Sequence, residues 1–95
     1  MNKGGTQLLT ADGVVGTSGV PIWVYAIHIL SGAGGGAVVS LRNGTTASDT
    51  IYVTETGTAS TGKTVLFGNG GLLFPAGCFV DVDTNTTSVA VSFSQ

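Results

Sequence analysis

The chain has 95 residues, enough for one domain, and carries 3 basic and 5 acidic residues for a net charge of -2. Charged residues make up only 8% of it, where an average soluble domain has roughly 25%. So few cations cannot track a phosphate backbone, which excludes nucleic acid as a partner. Gly, Thr and Ser fill the gap with 16, 14 and 8 copies. The straight-chain helix formers Glu, Gln, Lys, Arg and Met total 7 while Val alone appears 12 times, so the balance points to β-structure.

The start, Met1-Asn2-Lys3-Gly4-Gly5, lacks the apolar run of a secretory signal, and synthesis in a cytoplasm is expected. Residues 1–19 read as an N-terminal arm with the first strand or strands, and residues 20–95 as the body of a single domain. Val20 to Leu30 is the longest apolar run and is too short to span a bilayer, which takes about 18 residues or more. No membrane partner is expected. In this run Ile22, Val24, Ala26, His28 and Leu30 share one strand face, and Trp23, Tyr25, Ile27 and Ile29 the other. Both faces are apolar, so the strand is central or has its outer face covered. Period-two alternation recurs in Ala37 to Arg42, Asp49 to Glu55, Cys78 to Asp83 and Ser88 to Ser94. Gly, Asn and Pro clusters separate these runs, with Asn43-Gly44 the strongest hairpin signal, inside a loop that extends through Ser48. The predicted fold is all-β: a single compact antiparallel β-sandwich or small jelly-roll-like barrel of about 7–9 short strands, with no significant helix. Cys78 is the only cysteine, so no internal disulfide holds it. Asn43-Gly44-Thr45 and Asn85-Thr86-Thr87 fit the glycosylation pattern but mark turns when no signal peptide is present.

Four motifs resemble chemistry. Gly57-Thr58-Ala59-Ser60-Thr61-Gly62-Lys63-Thr64 fits the phosphate-binding pattern G-x-x-x-x-G-K-[ST] at every position. That loop needs a helix after it, and Val65-Leu66-Phe67-Gly68-Asn69-Gly70-Gly71 cannot supply one, so a hairpin loop is expected instead. Gly32-Ala33-Gly34-Gly35-Gly36-Ala37 fits G-x-G-x-x-A, but a strand follows it rather than a helix, and an inter-strand loop is expected. Asp81-Val82-Asp83-Thr84-Asn85 opens like a calcium loop, yet the sixth position is Thr86 and the twelfth Ser92, where Gly and Glu are required. His28 has alternating neighbours Ala26 and Leu30, which cannot orient a base, so it reads as a core or interface histidine. Cys78 reads as a small buried apolar residue. No catalytic, cofactor-binding or metal-ligating residue is assigned, and no enzyme activity is expected. Trp23 and Tyr25, two apart on one face, either pack in the core or form a platform for a sugar ring or a protein partner.

Three stretches and a terminal strand together carry a resemblance. They are Trp23-Val24-Tyr25-Ala26-Ile27-His28; Gly36-Ala37-Val38-Val39-Ser40-Leu41-Arg42-Asn43-Gly44-Thr45-Thr46-Ala47-Ser48-Asp49-Thr50-Ile51; Gly71-Leu72-Leu73-Phe74-Pro75-Ala76-Gly77-Cys78-Phe79-Val80-Asp81-Val82; and Val89-Ala90-Val91-Ser92-Phe93. This pattern resembles the small all-β virion proteins of tailed bacteriophages, over about residues 20–95. The resemblance implies a structural subunit that decorates or cements a capsid, sits on the virion surface, and contacts the major capsid protein or other virion proteins. A host-adhesion or carbohydrate-binding module, or another head or tail accessory subunit, is the alternative. Edge strands are normally guarded by Lys, Pro or bulges, and only Lys3, Lys63 and Pro21 are candidates here, so a homo-oligomer, a trimer, is expected. Two attachment routes are open: Thr6-Gln7-Leu8-Leu9-Thr10 adding as a strand to a neighbour, or the Trp23, Tyr25, Ile27 and Ile29 face acting as a buried anchor.

Overall fold

The computed structural model describes residues 4–95. Among these the regular elements are all strands: β1 Gly4–Leu9, β2 Gly13–Val15, β3 Ile22–Ser31, β4 Val38–Asn43, β5 Thr50–Thr56, β6 Gly62–Leu66, β7 Leu72–Phe74, β8 Cys78–Val82 and β9 Thr86–Ser94. Every pairing is antiparallel. One sheet has the order β1-β9-β3-β6, with β7 also pairing on β3; the second has the order β2-β8-β4-β5. The predicted all-β sandwich is the observed architecture.

The core forms where apolar residues of the two inner faces meet. The first sheet contributes Leu9, Ile22, Val24, Ile27, Ile29, Phe74, Val89 and Val91; the second contributes Val15, Val39, Leu41, Cys78 and Val80. These residues are nearly all β-branched or aromatic, the side chains that pack best on a pleated surface. One open side of the sandwich is closed by two contacts between sheets. Tyr52 on β5 stacks on Phe74 of β7 with ring centroids 5.3 Å apart. Next to it, Lys63 of β6 pairs with Glu55 of β5 at 3.0 Å and also donates to the Thr56 carbonyl.

Several expectations need correction. The two faces of β3 are not set by strict alternation along the strand. Its pairing with β9 slips between Val24 and Ala26, leaving Tyr25 as an extra residue in a bulge. Beyond the bulge the alternation is shifted by one. Ile22, Val24, Ile27, Ile29 and Ser31 all point inward, while Trp23, Tyr25, His28 and Leu30 are exposed. The expected Trp23, Tyr25, Ile27 and Ile29 anchor is therefore divided: the two isoleucines are core, and the two aromatics lie outside.

The arm is likewise part of the sandwich. Gly4 to Leu9 pair with Ser94 to Val89, and Gly13 to Val15 pair with Val80 to Cys78. Thr6-Gln7-Leu8-Leu9 thus completes its own sheet. Asn2 and Lys3, the start of the expected arm and an expected edge guard, lie outside the described residues. The β4–β5 connection is a hairpin with a long loop, as its length implied. No type I′ turn forms at Asn43-Gly44, because Ser60 is the only non-glycine residue with positive φ among the described residues. Asp49 closes the loop instead, its carboxylate accepting from the backbone N–H groups of Thr45 and Thr46 and from the Thr46 hydroxyl.

Candidate functional site

The phosphate-loop match dissolves residue by residue. Gly57 to Thr61 carry the chain from β5 in the second sheet to β6 in the first, so the segment is a crossover between sheets rather than a hairpin loop. Gly62-Lys63-Thr64 then opens a strand, and each residue has a structural role there. A Cβ on Gly62 would stand 3.0 Å from Cε1 and Nε2 of His28, so glycine leaves room for the imidazole over the β6 backbone. Lys63 points to the inner side and pairs with Glu55. The Thr64 Oγ1 lies 2.8 Å from His28 Nδ1. The glycine-rich segment 32–37 is another crossover, from β3 to β4, pinned by Ala37 N–H donating to the Ser31 hydroxyl.

The aspartates of the calcium-like stretch serve separate ends. Asp81 lies on the outer side of the second sheet and accepts from Nε and Nη2 of Arg42 at 3.2 and 3.0 Å. Asp83 caps the turn into β9, accepting from the Asn85 N–H and the Thr86 hydroxyl. Asp12 accepts from the Val82 N–H. Cys78 is wholly buried, and burial pushes its thiol up to about 12. Among the described residues no three His, Cys, Asp or Glu side chains gather as metal ligands.

With these groups accounted for, the outer face of the first sheet stands out. Its cross-strand rows follow from the register. Leu8, Ala90, His28 and Thr64 form one row, and Thr6, Ser92, Ala26 and Leu66 the next. Ser94, Trp23 and Leu73 form a third, and Tyr25 stands over it from the bulge with its hydroxyl 2.6 Å from the Ser94 hydroxyl. Leu66 is 74% exposed, Leu8 65%, Trp23 42% and Tyr25 36%. No described Asp, Glu, Lys or Arg belongs to this face. The charged residues sit on loops, on the far side of β6, or on the second sheet, whose outer face carries Arg42 and Asp81.

The sequence points to Leu8, within the Thr6 to Thr10 segment, and to Trp23, Tyr25 and His28 in this region, but not to Leu66 or Leu73. Leu8 lies in a segment read as the N-terminal arm with the first strand or strands, and Leu66 in a stretch that follows the glycine-rich match. Alternation within Gly62 to Leu66 was the available signal, since Lys63 and Val65 turn inward and Thr64 and Leu66 outward. Comparison with known proteins finds no matching family, no matching curated protein and no matching solved structure.

Proposed function

We propose that this chain is a structural binding module that works through protein–protein contact, and that it decorates or cements the capsid of a tailed bacteriophage. The observation that carries the reading is the uncharged outer face of the first sheet, with Leu8, Trp23, Tyr25 and Leu66 exposed on it. Four large apolar side chains, two of them aromatic, on one face without a described charge mark a candidate contact surface, since interface cores are depleted of charge and enriched in aromatics. The ionic side chains support the same reading. Arg42, Lys63, Glu55, Asp49, Asp81 and Asp83 are committed to ion pairs and loop caps that hold the sandwich together. The resemblance of residues 20–95 to small virion proteins supplies the setting. Mass spectrometry of purified particles from the phage that carries the gene is the test. A copy number matching a set of capsid lattice positions supports decoration; absence from complete particles rejects it.

One observation favours the adhesion alternative. Trp23 and Tyr25 are exposed side by side beside the Ser94 hydroxyl, a platform on which a sugar ring could stack. A glycan array separates the two readings. Saturable sugar binding abolished by Trp23→Ala makes the platform a sugar site.

A further inference from the structure

We infer that the outer face of the first sheet pairs with the same face of a second copy of this chain, with His28 enclosed at the centre of the contact. The inference rests on reading this face as a protein-contact surface and assigns it to a sister subunit, which leaves the second sheet's outer face for a capsid.

Three observations select a second copy. The first is charge. A partner with Lys, Arg, Asp or Glu at the contact would bury ions opposite a face whose described residues offer none to pair with them, and such ions are strongly penalised. This face meets the requirement of an uncharged partner against itself. The second is shape. The face is an open antiparallel sheet, and two copies of one such surface meet across a two-fold axis as an isologous contact. This geometry gives a dimer. The third is area. With strands about 4.8 Å apart and a rise of about 3.3 Å per residue, the strands of this sheet cover roughly 500 Å² in plan. Relief from Leu8, Leu66 and Trp23 brings this near the about 800 Å² that each partner buries in a stable interface.

His28 makes the proposal specific. Its row runs from Leu8 through Ala90 to Thr64, with Ala26 and Leu30 beside it on β3, Gly62 and Leu66 on β6, and Ser88 and Ser92 on β9. None of these titrates. Among the described residues the Tyr25 phenol is the other titratable group on the face, and Lys63 pairs with Glu55 of β5 on the inner side of β6. A neutral imidazole fits this setting, with one ring nitrogen bonded to the Thr64 hydroxyl. An imidazolium enclosed there would have no carboxylate. Histidine takes up its proton between about pH 5 and 8. A dimer that excludes two protons weakens by up to about a hundredfold per pH unit once the imidazoles charge.

The test is sedimentation equilibrium of the full chain at micromolar concentrations, at pH 7.5 and pH 5.0, with circular dichroism to show that the sandwich persists. The expected result is a dimer at pH 7.5 and a folded monomer at pH 5.0. Leu66→Lys should give a folded monomer at both pH values, with Leu8→Lys as the second variant should the first misfold. His28→Gln should remain a dimer at pH 5.0. Ile51→Lys, on the other sheet, should behave as the parent chain. A monomer at pH 7.5, or an oligomer that tolerates both lysine substitutions, overturns the pairing, and a parent dimer unchanged at pH 5.0 overturns the enclosure of His28. A monomer in isolation that is still found on virions rejects this inference alone; absence from virions with the dimer intact rejects only the decoration reading.

Discussion

Asp49 shows what charge does in this chain. Its carboxylate replaces a tight turn by gathering two backbone N–H groups and a hydroxyl, and Asp83 does the same at the turn into β9. Hydrogen bonds from Thr45 and Thr46 hold Asp49 below the ordinary aspartate value of 3.8. Burial pushes Asp83 upward, but hydrogen bonds from the Val38 backbone, Thr86 and Asn85 outweigh it and its value is also lowered. A carboxyl lowered by folding contributes stability that is complete above its unfolded value and is lost as pH falls through its folded value. The thermal midpoint of the monomeric Leu66→Lys chain should therefore hold steady from neutral pH down to about pH 4 and fall below it, as a calorimetric pH series would show. Cys78 gives a second residue-scale prediction. With its thiol wholly buried and pushed up to about 12, a disulfide reagent should label it only after denaturation. Lys63 gives a third. Lys63→Ala removes a half-exposed ion pair and should cost about 0.5–1 kcal/mol in urea melts. Titration of the parent chain with ATP and magnesium should give no saturable heat, since Gly62-Lys63-Thr64 is already used by His28, Glu55 and the β6 ladder.

Local patterning made most strands legible at the scale of elements. Alternation in Ala37 to Arg42 and in Ser88 to Ser94 places Val39, Leu41, Val89 and Val91 inward, where they are found. The sequence could not show where alternation breaks. Tyr25 carries no mark of a bulge, yet one unpaired residue reverses the faces of everything after it and moves Ile27 and Ile29 from an expected surface into the core. The crossovers were equally hidden, because glycine-rich connections look alike whether they join partners in one sheet or pass between sheets. In the structure they are closely packed. A Cβ on Gly36 would run into the Gly57 carbonyl, where the two crossovers touch, and Gly57 N–H donates to the Ala37 carbonyl at 2.8 Å. Gly36→Ala should therefore cost about 1–3 kcal/mol in urea melts, as overpacked sites do. The N-terminal strand leads to a larger effect. Deleting residues 1–12 removes β1 from β9, takes Leu9 from the core, and removes Asp12 from the Val82 N–H. Total stability for such a domain is about 5–15 kcal/mol, and the truncated chain should lose cooperative unfolding in calorimetry. A truncated protein that still melts sharply would show that β1 is dispensable.

For the whole molecule, the two outer faces divide the work. The second sheet carries its ion pair outward, Arg42 to Asp81, with the Arg42 Nη1 also bonded to the Asp49 carbonyl, so charge there stiffens the hairpin loop. Among the described residues the first sheet carries none outward, so its contacts depend on apolar area and hydroxyl hydrogen bonds. This division predicts opposite responses to two solution variables. Salt screens exposed charges, with a Debye length near 3 Å at about 1 M, but has little to screen on a face without ions. It does strengthen apolar association when the salt is a kosmotrope such as sulfate. Acid acts on this face through the imidazole of His28, whose enclosed neighbours offer a protonated ring no carboxylate. Assembly through this face should therefore persist in about 1 M sodium chloride, tighten in sulfate, and weaken near pH 5. Sedimentation across the salt series at pH 7.5 measures this directly. Dissociation in high salt would mean that ion pairs hold the contact and that a charged surface, such as the Arg42 and Asp81 side, carries the assembly instead.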